Sequence, residues 1–221
     1  MADNNGSHRD VILVFCAHSD DQVLGVGGTL AKYAKEGKEI HTVIFSFGES
    51  SHPWLREEIT AEMRVKESEE ANKILGGKDV KFLGLKEGKF AEEFKEKNMF
   101  GTIHQYITEM EPDKIFTHSI NDPHPDHKAV NKIVLDVVKS LNCKCDVYTF
   151  EVWAPLKLRK RSAPMLYVDI TDTFQAKLKA LENFRSQWIA ITLLKWSVYT
   201  RAFMDGVHND SKYAESFVKV N

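Results

Sequence analysis

Apolar residues along the chain fall into short continuous runs, separated by longer stretches with helical spacing. The run at 11–17 (Val-Ile-Leu-Val-Phe-Cys-Ala) has no polar position, which predicts a strand buried on both faces. Further strand-like runs lie at 39–47, 79–85, 114–118, 147–153 and 165–170. The spacing between and after them predicts helices at 25–35, 55–75, 92–110, 128–141, 173–185 and 188–204. Gly37 and the pair Gly76-Gly77 stand where helix stops belong. Strands that alternate with helices imply crossover connections. The chain therefore reads as α/β, a single Rossmann-like domain with a mainly parallel sheet flanked by helices. Nothing in its 221 residues marks a linker, so the expected division is a flexible tail at 1–10 and one domain at 11–221.

In such a sheet, ligands bind at the carboxyl ends of the strands. Two clusters of chemistry-bearing residues follow strand-like runs: His18-Ser19-Asp20-Asp21 after 11–17, and His124-Pro125-Asp126-His127 just past 114–118. His18 and Asp21 leave the turn between them free to wrap one face of an ion, and His127 closes the set from the other loop. Two imidazoles and a carboxylate, completed by water, form a known zinc arrangement. Asp20, beside a ligand without being needed as one, suits a general base. His124 faces the substrate in this reading, stabilising an oxyanion or protonating a departing amine, with Asp126 orienting its ring. Helix capping suits the same residues: Asp126 ahead of the helix near Lys128, and Asp20 or Asp21 ahead of the helix near Gly25. Two clusters at equivalent strand ends favour the metal. The segment Gly25-Val-Gly-Gly28 lacks the spacing of a dinucleotide loop and follows acidic residues, so its glycines are read as allowing close helix-to-sheet packing.

Composition narrows the classes. A formal net charge of -2, from 30 basic and 32 acidic residues, argues against nucleic-acid binding, and the basic run 157–161 reads as a solvated loop. The three cysteines make no disulfide framework, because Cys143 and Cys145 are one residue apart and Cys16 sits in a strand pattern. A reducing, cytoplasmic setting is expected. The first ten residues hold no apolar leader core, and the apolar stretch at 188–199 is interrupted by Thr192, Lys195 and Ser197, so no membrane span is expected. A helix apolar on nearly every side at 188–204 predicts a homo-oligomer. His8, His41 and His104 are read as ordinary tail, strand and helix residues; His52, His118 and His208 sit in loops or at strand ends, within reach of a pocket.

With these residues in hand, the chain resembles the PIG-L/LmbE family of zinc-dependent deacetylases of N-acetylglucosamine compounds. The family's A-H-P-D-D-E motif is similar to residues 17–22, Ala-His-Ser-Asp-Asp-Gln, and its H-P-D-H motif is matched in full at 124–127. The helix pattern R-x-x-E-x-x-x-A-x-x-x-L-G is similar to Arg64, Glu67, Ala71, Leu75 and Gly76, and Y-A-E-x-F to residues 213–217. The resemblance implies zinc on His18, Asp21 and His127, Asp20 as general base and His124 as electrostatic catalyst oriented by Asp126. It also implies Arg64 as a substrate-binding residue, where the helix spacing alone suggests a salt bridge to a neighbouring glutamate. The implied reaction is attack of zinc-bound water on the amide of an N-acetylated amino sugar. Another metallohydrolase, such as a phosphoesterase, and a catalytically impaired metal- or sugar-binding homologue are the rivals. Ser19 in place of proline removes no ligand, whereas Gln22 in place of glutamate removes a charge near the site. The loops at 48–54, 87–91 and 154–164 carry no motif that identifies the aglycone.

Overall fold

The computed structural model describes residues 10–51, 54–153 and 164–220. The expected tail (apart from Asp10), the basic run at 157–161, His8 and His52 therefore lie outside the described residues. The first strand, β1 (Val11–Cys16), is buried at every position. It pairs in parallel with β2 (Glu39–Ile44) on one side and β4 (Lys114–His118) on the other. Outward from these lie β3 (Asp79–Phe82) and β5 (Asp146–Phe150), both parallel to their neighbours. The full order is β3-β2-β1-β4-β5-β7-β6, where β6 is Met165–Asp169 and β7 is Ala214–Lys219. Only β7 runs antiparallel, between β5 and β6. The strand order reverses beside β1, and the crevice at that point is where α/β sheets bind ligands.

Alternation along β1 builds two core layers. Ile12, Val14 and Cys16 pack under α1 (Asp21–Lys35), α2 (Glu57–Leu75), α6 (Phe174–Leu181) and α7 (Trp188–His208). Val11, Leu13 and Phe15 pack under α3 (Phe90–Glu96), α4 (Phe100–Met110) and α5 (Pro125–Leu141). Gly28 shows how closely α1 approaches the sheet, since a Cβ there would meet Ile170 Cδ1 at 2.6 Å. Gly76 ends α2 in the left-handed region at φ 80°. No helix among the described residues is long and apolar enough to cross a membrane.

Several boundaries differ from those the pattern predicts. Helix α1 starts at Asp21 rather than Gly25, and α5 starts at Pro125, a residue suited to a first helical position. The stretch 92–110 is two helices, because Asn98 turns left-handed at φ 50° between them. In α2 the buried stripe is Thr60, Arg64, Ser68, Ala71 and Leu75, while Ile59 is exposed. A polar stripe escapes a search for apolar periodicity. Strand β7 escaped for the same reason, since Glu215 and Ser216 are buried within it. The expectation for the cysteines is corrected as well: Cys143 and Cys145 form a disulfide in the turn after α5, with Cα atoms 5.4 Å apart. Asn142 takes a left-handed conformation there, ending α5.

Candidate metal centre and active site

Both clusters are delivered to one sheet edge by adjacent strands. Leaving β1, the chain makes a single turn and enters α1, with the Asp20 carbonyl accepting the N–H groups of Val23 and Leu24, each at 3.0 Å. The Asp21 carboxylate reaches back to accept the His18 N–H at 2.7 Å, so this turn is closed by its own candidate ligand. Past β4, Asp122 Oδ1 accepts the His124 N–H at 3.0 Å, and His124 then caps α5. The cap is made by His124 Nδ1, which accepts the Asp126 N–H at 3.2 Å; Asp126, the residue expected to cap, stands inside the first turn. His127 is fully buried one residue further on.

Three side chains converge where the strands end. His18 Nδ1 lies 3.3 Å from Asp21 Oδ2, His127 Nε2 lies 3.4 Å from Asp21 Oδ1, and the two nitrogens are 3.4 Å apart. An ion with bonds of about 2.0–2.1 Å in a tetrahedral site holds its ligand atoms ~3.4 Å apart, so the spacing suits a small divalent ion, with Asp21 presenting Oδ2 to His18 and Oδ1 to His127. The second nitrogen of each imidazole meets another carboxylate: His127 Nδ1 is 3.0 Å from Asp122 Oδ1, and His18 Nε2 is 3.3 Å from Asp126 Oδ2. Such outer carboxylates fix the tautomer and aim the free nitrogen at the metal. Asp122 is absent from the residues read as functional in the sequence. Its signal was the Asp-Pro turn two residues before His124, a place where aspartate bonds the backbone ahead of it.

Asp126, expected to orient the ring of His124, has other partners for its carboxylate. Its carboxylate accepts the Gly88 N–H at 3.0 and 3.1 Å and orients His18, whereas only its backbone N–H touches the ring of His124. That bond requires a lone pair on His124 Nδ1. With Nδ1 as acceptor the ring proton sits on Nε2, and burial, followed by the charges of His18 and His127, pushes the His124 pKa down. His118, which sequence spacing left undecided, forms the floor of the centre. It stacks on His127 with centroids 3.8 Å apart and approaches Asp21 Oδ2 at 3.2 Å. His208 ends α7 against the Met204 carbonyl.

The charges in the cluster favour the protonated form of two of its imidazoles. Burial works against the charged form of His18, but Asp21 and Asp126 outweigh it and push the pKa up to about 10. His127 rises to about 9 against the same burial, through Asp21 and Asp122. His118 falls to about 4 through burial and the neighbouring His127. Asp21 is held well below the usual carboxylate range because the three imidazoles overcome the cost of burying it. A centre that draws cationic charge into a buried place is suited to a divalent ion, which displaces those protons.

Beside the centre opens a cavity of about 180 Å³, whose lining includes His18, Asp20, Asp21, Arg64, Glu87 and His124. Arg64 is buried, with its guanidinium 3.7 Å from Asp20 Oδ1 and 3.9 Å from Glu67 Oε2. Both readings of this arginine meet in one place, since it pairs with carboxylates while lining the cavity. Glu87, in a loop without sequence signature, has its carboxyl pKa raised by burial despite nearby His18. Gln22 is buried with its Nε2 donating to Ser68 Oγ at 3.0 Å, so the position packs α1 on α2. The hydroxyl of Ser19 is buried without a hydrogen-bond partner.

The PIG-L family, described as GlcNAc-PI de-N-acetylase, matches residues 13–138, a span that contains the candidate residues His18, Asp21, Asp122, Asp126 and His127. The chain belongs to this family. It is 28% identical over 217 residues to the 4-oxalmesaconate hydratase of Pseudomonas putida, with 90% of this chain and 80% of the other covered. It is 25% identical over 217 residues to the "Probable N-acetyl-alpha-D-glucosaminyl L-malate deacetylase 2" of Bacillus anthracis, covering 95% and 93%. Among solved structures, the N,N'-diacetylchitobiose deacetylase of Pyrococcus horikoshii superposes with a TM-score of 0.78 at 24% identity, covering 99% of this chain and 86% of that one. The PIG-L fold is thus shared along nearly the whole chain.

Proposed function

We propose that this protein is a zinc-dependent hydrolase that removes the acetyl group from an N-acetylglucosamine-type amino sugar. The observation that carries the reading is the pair of carboxylate–imidazole units, Asp126–His18 and Asp122–His127, aimed at Asp21 with ligand atoms 3.3 to 3.4 Å apart. His18, Asp21 and His127 would hold the zinc, which would supply Lewis acidity toward the amide carbonyl and the attacking water. Asp20 borders the cavity and accepts the proton of the attacking water; Arg64, 3.7 Å away, holds that carboxylate in place. The same carboxylic acid then returns the proton to the departing amine. His124 donates its Nε2 proton in a hydrogen bond to the developing oxyanion, as its Nδ1 is committed to the α5 cap.

The test is release of free amine and acetate from N-acetylglucosamine conjugates, with and without a chelator. Zinc-dependent release is the expected result. No release from any conjugate at full zinc occupancy contradicts it. A second reading, hydration of a carbon–carbon double bond, draws support from the hydratase relative and uses the same base and ion. Loss of 4-oxalmesaconate absorbance in the same assay, without amine release, selects it. A two-metal phosphoesterase would need Asp122 and Asp126 as ligands in place of the imidazole contacts they make.

Self-association belongs to the same proposal. The outward face of α7 exposes Ile189, Leu193, Trp196, Phe203 and Val207, spaced as one helical stripe with no charge among them. A second copy of the chain covers such a stripe by helix-to-helix packing. A monomer in sedimentation at micromolar concentration contradicts this.

A further inference from the structure

One cation on α7 reaches the metal centre through a peptide rather than through a side chain. Val198, Ala202 and Asp205 are buried on the inner face of this helix. Arg201 stands three residues after Val198 and four before Asp205, the spacing of neighbours on one helix face. Its side chain is therefore directed at the sheet, where it lines a small space together with Phe150 of β5 and Glu215 of β7. Arg201 Nη1 donates to the Glu151 carbonyl at 2.5 Å, while Nε of the same guanidinium has no hydrogen-bond partner among the described residues.

Glu151 lies just past the ladder, whose last β4–β5 pair is His118 with Phe150. Its carbonyl and the N–H of Val152 belong to one planar peptide and point in opposite directions, so a bond that fixes one aims the other. The Val152 N–H donates to Asp122 Oδ2 at 2.7 Å, and the Trp153 N–H donates to the same oxygen at 3.2 Å. Asp122 is fully buried, and its Oδ1 accepts the His124 N–H and lies 3.0 Å from His127 Nδ1. A carboxylate held at both oxygens keeps one direction, and that direction sets which nitrogen His127 turns toward Asp21. We propose that Arg201 is a positioning residue of the metal centre: by holding the peptide between Glu151 and Val152, it fixes Asp122 and, through Asp122, His127. This rests on the reading of His18, Asp21 and His127 as zinc ligands. The alternative is that Arg201 only ties α7 to β5, which affects stability and leaves the metal alone.

The experiment measures zinc affinity per folded chain by competition titration, with urea unfolding alongside, in the full chain and its variants. Arg201→Met is expected to bind zinc about tenfold more weakly, the lower end of what loss of an outer partner costs. Arg201→Lys keeps the charge and a donor, and should retain most of the affinity. A double-mutant cycle with Asp122→Ala separates the two roles. Once the carboxylate is gone, Arg201 has nothing to position, so adding Arg201→Met to Asp122→Ala should change zinc affinity by less than about twofold. Losses that multiply in the double variant overturn the proposal, as does full zinc affinity in a folded Arg201→Met. If the methionine variant does not fold, Arg201→Gln takes its place in the same cycle, with the same two outcomes. An unaltered chain that takes up no zinc fails the metal reading itself, a result distinct from either.

Discussion

Two clusters of charged side chains are buried in this molecule, and they differ in whether their polar atoms are satisfied. Under α1, Lys177 Nζ lies 2.6 Å from Glu215 Oε1 and donates to the Leu24 carbonyl at 2.9 Å. Glu215 also accepts the N–H groups of Gly28 and Thr29 at 3.0 and 2.8 Å. That cluster is closed, and it ties α6 and β7 to α1. At the metal centre the inner atoms of His18, Asp21 and His127 face one another at 3.3 to 3.4 Å, with their outer atoms already held. Burial of charge is therefore not what marks the site. Convergence of donors on a shared point is, and it separates a structural ion pair from a centre built for a third party.

The largest expected effect breaks the open cluster at its chemistry. Asp20→Asn keeps all three ligands and removes the proton acceptor, so kcat should fall by roughly 10²- to 10⁴-fold at saturating zinc. Near-normal turnover would remove Asp20 from the mechanism. The closed cluster should answer differently. Lys177→Met leaves Glu215 buried without its counter-ion and should cost about 3–5 kcal/mol in urea unfolding, with zinc per folded chain unchanged. A loss of zinc with stability intact would join the two clusters functionally and undo the contrast. A smaller effect is expected for Asp122→Asn, where His127 keeps its metal-facing nitrogen but loses its anionic partner. Zinc affinity should drop about 10- to 100-fold in a competition titration. An unchanged affinity would reduce Asp122 to a turn residue.

Much of the open cluster was legible because the sequence sets His18 and Asp21 directly after an all-apolar strand, and His127 after another, and a parallel sheet brings such ends together. What the sequence hid was the pairing among neighbours. Residues Asp122, His124, Asp126 and His127 all look alike as turn chemistry until α5 begins at Pro125 and sends their side chains in different directions. Asp126 then meets His18 across the edge, more than a hundred residues away in the chain, a contact that no local spacing encodes. The closed cluster was illegible for a related reason. Lys177 reads as the polar face of a helix and Glu215 as one letter of the Y-A-E-x-F pattern, and their mutual contact, with the backbone groups of α1, is what makes burial of either tolerable.

The central claim is that adjacent carboxylates do separate work, Asp21 holding the ion and Asp20 moving the proton. Metal content decides it most directly. Asp20→Asn and Asp21→Asn should be loaded with zinc, passed through a desalting column against a mild chelator, and analysed by atomic emission. The account predicts about one zinc per chain in Asp20→Asn and little in Asp21→Asn, since an amide is a poorer ligand than a carboxylate. Equal retention, or equal loss, in the two variants would contradict it.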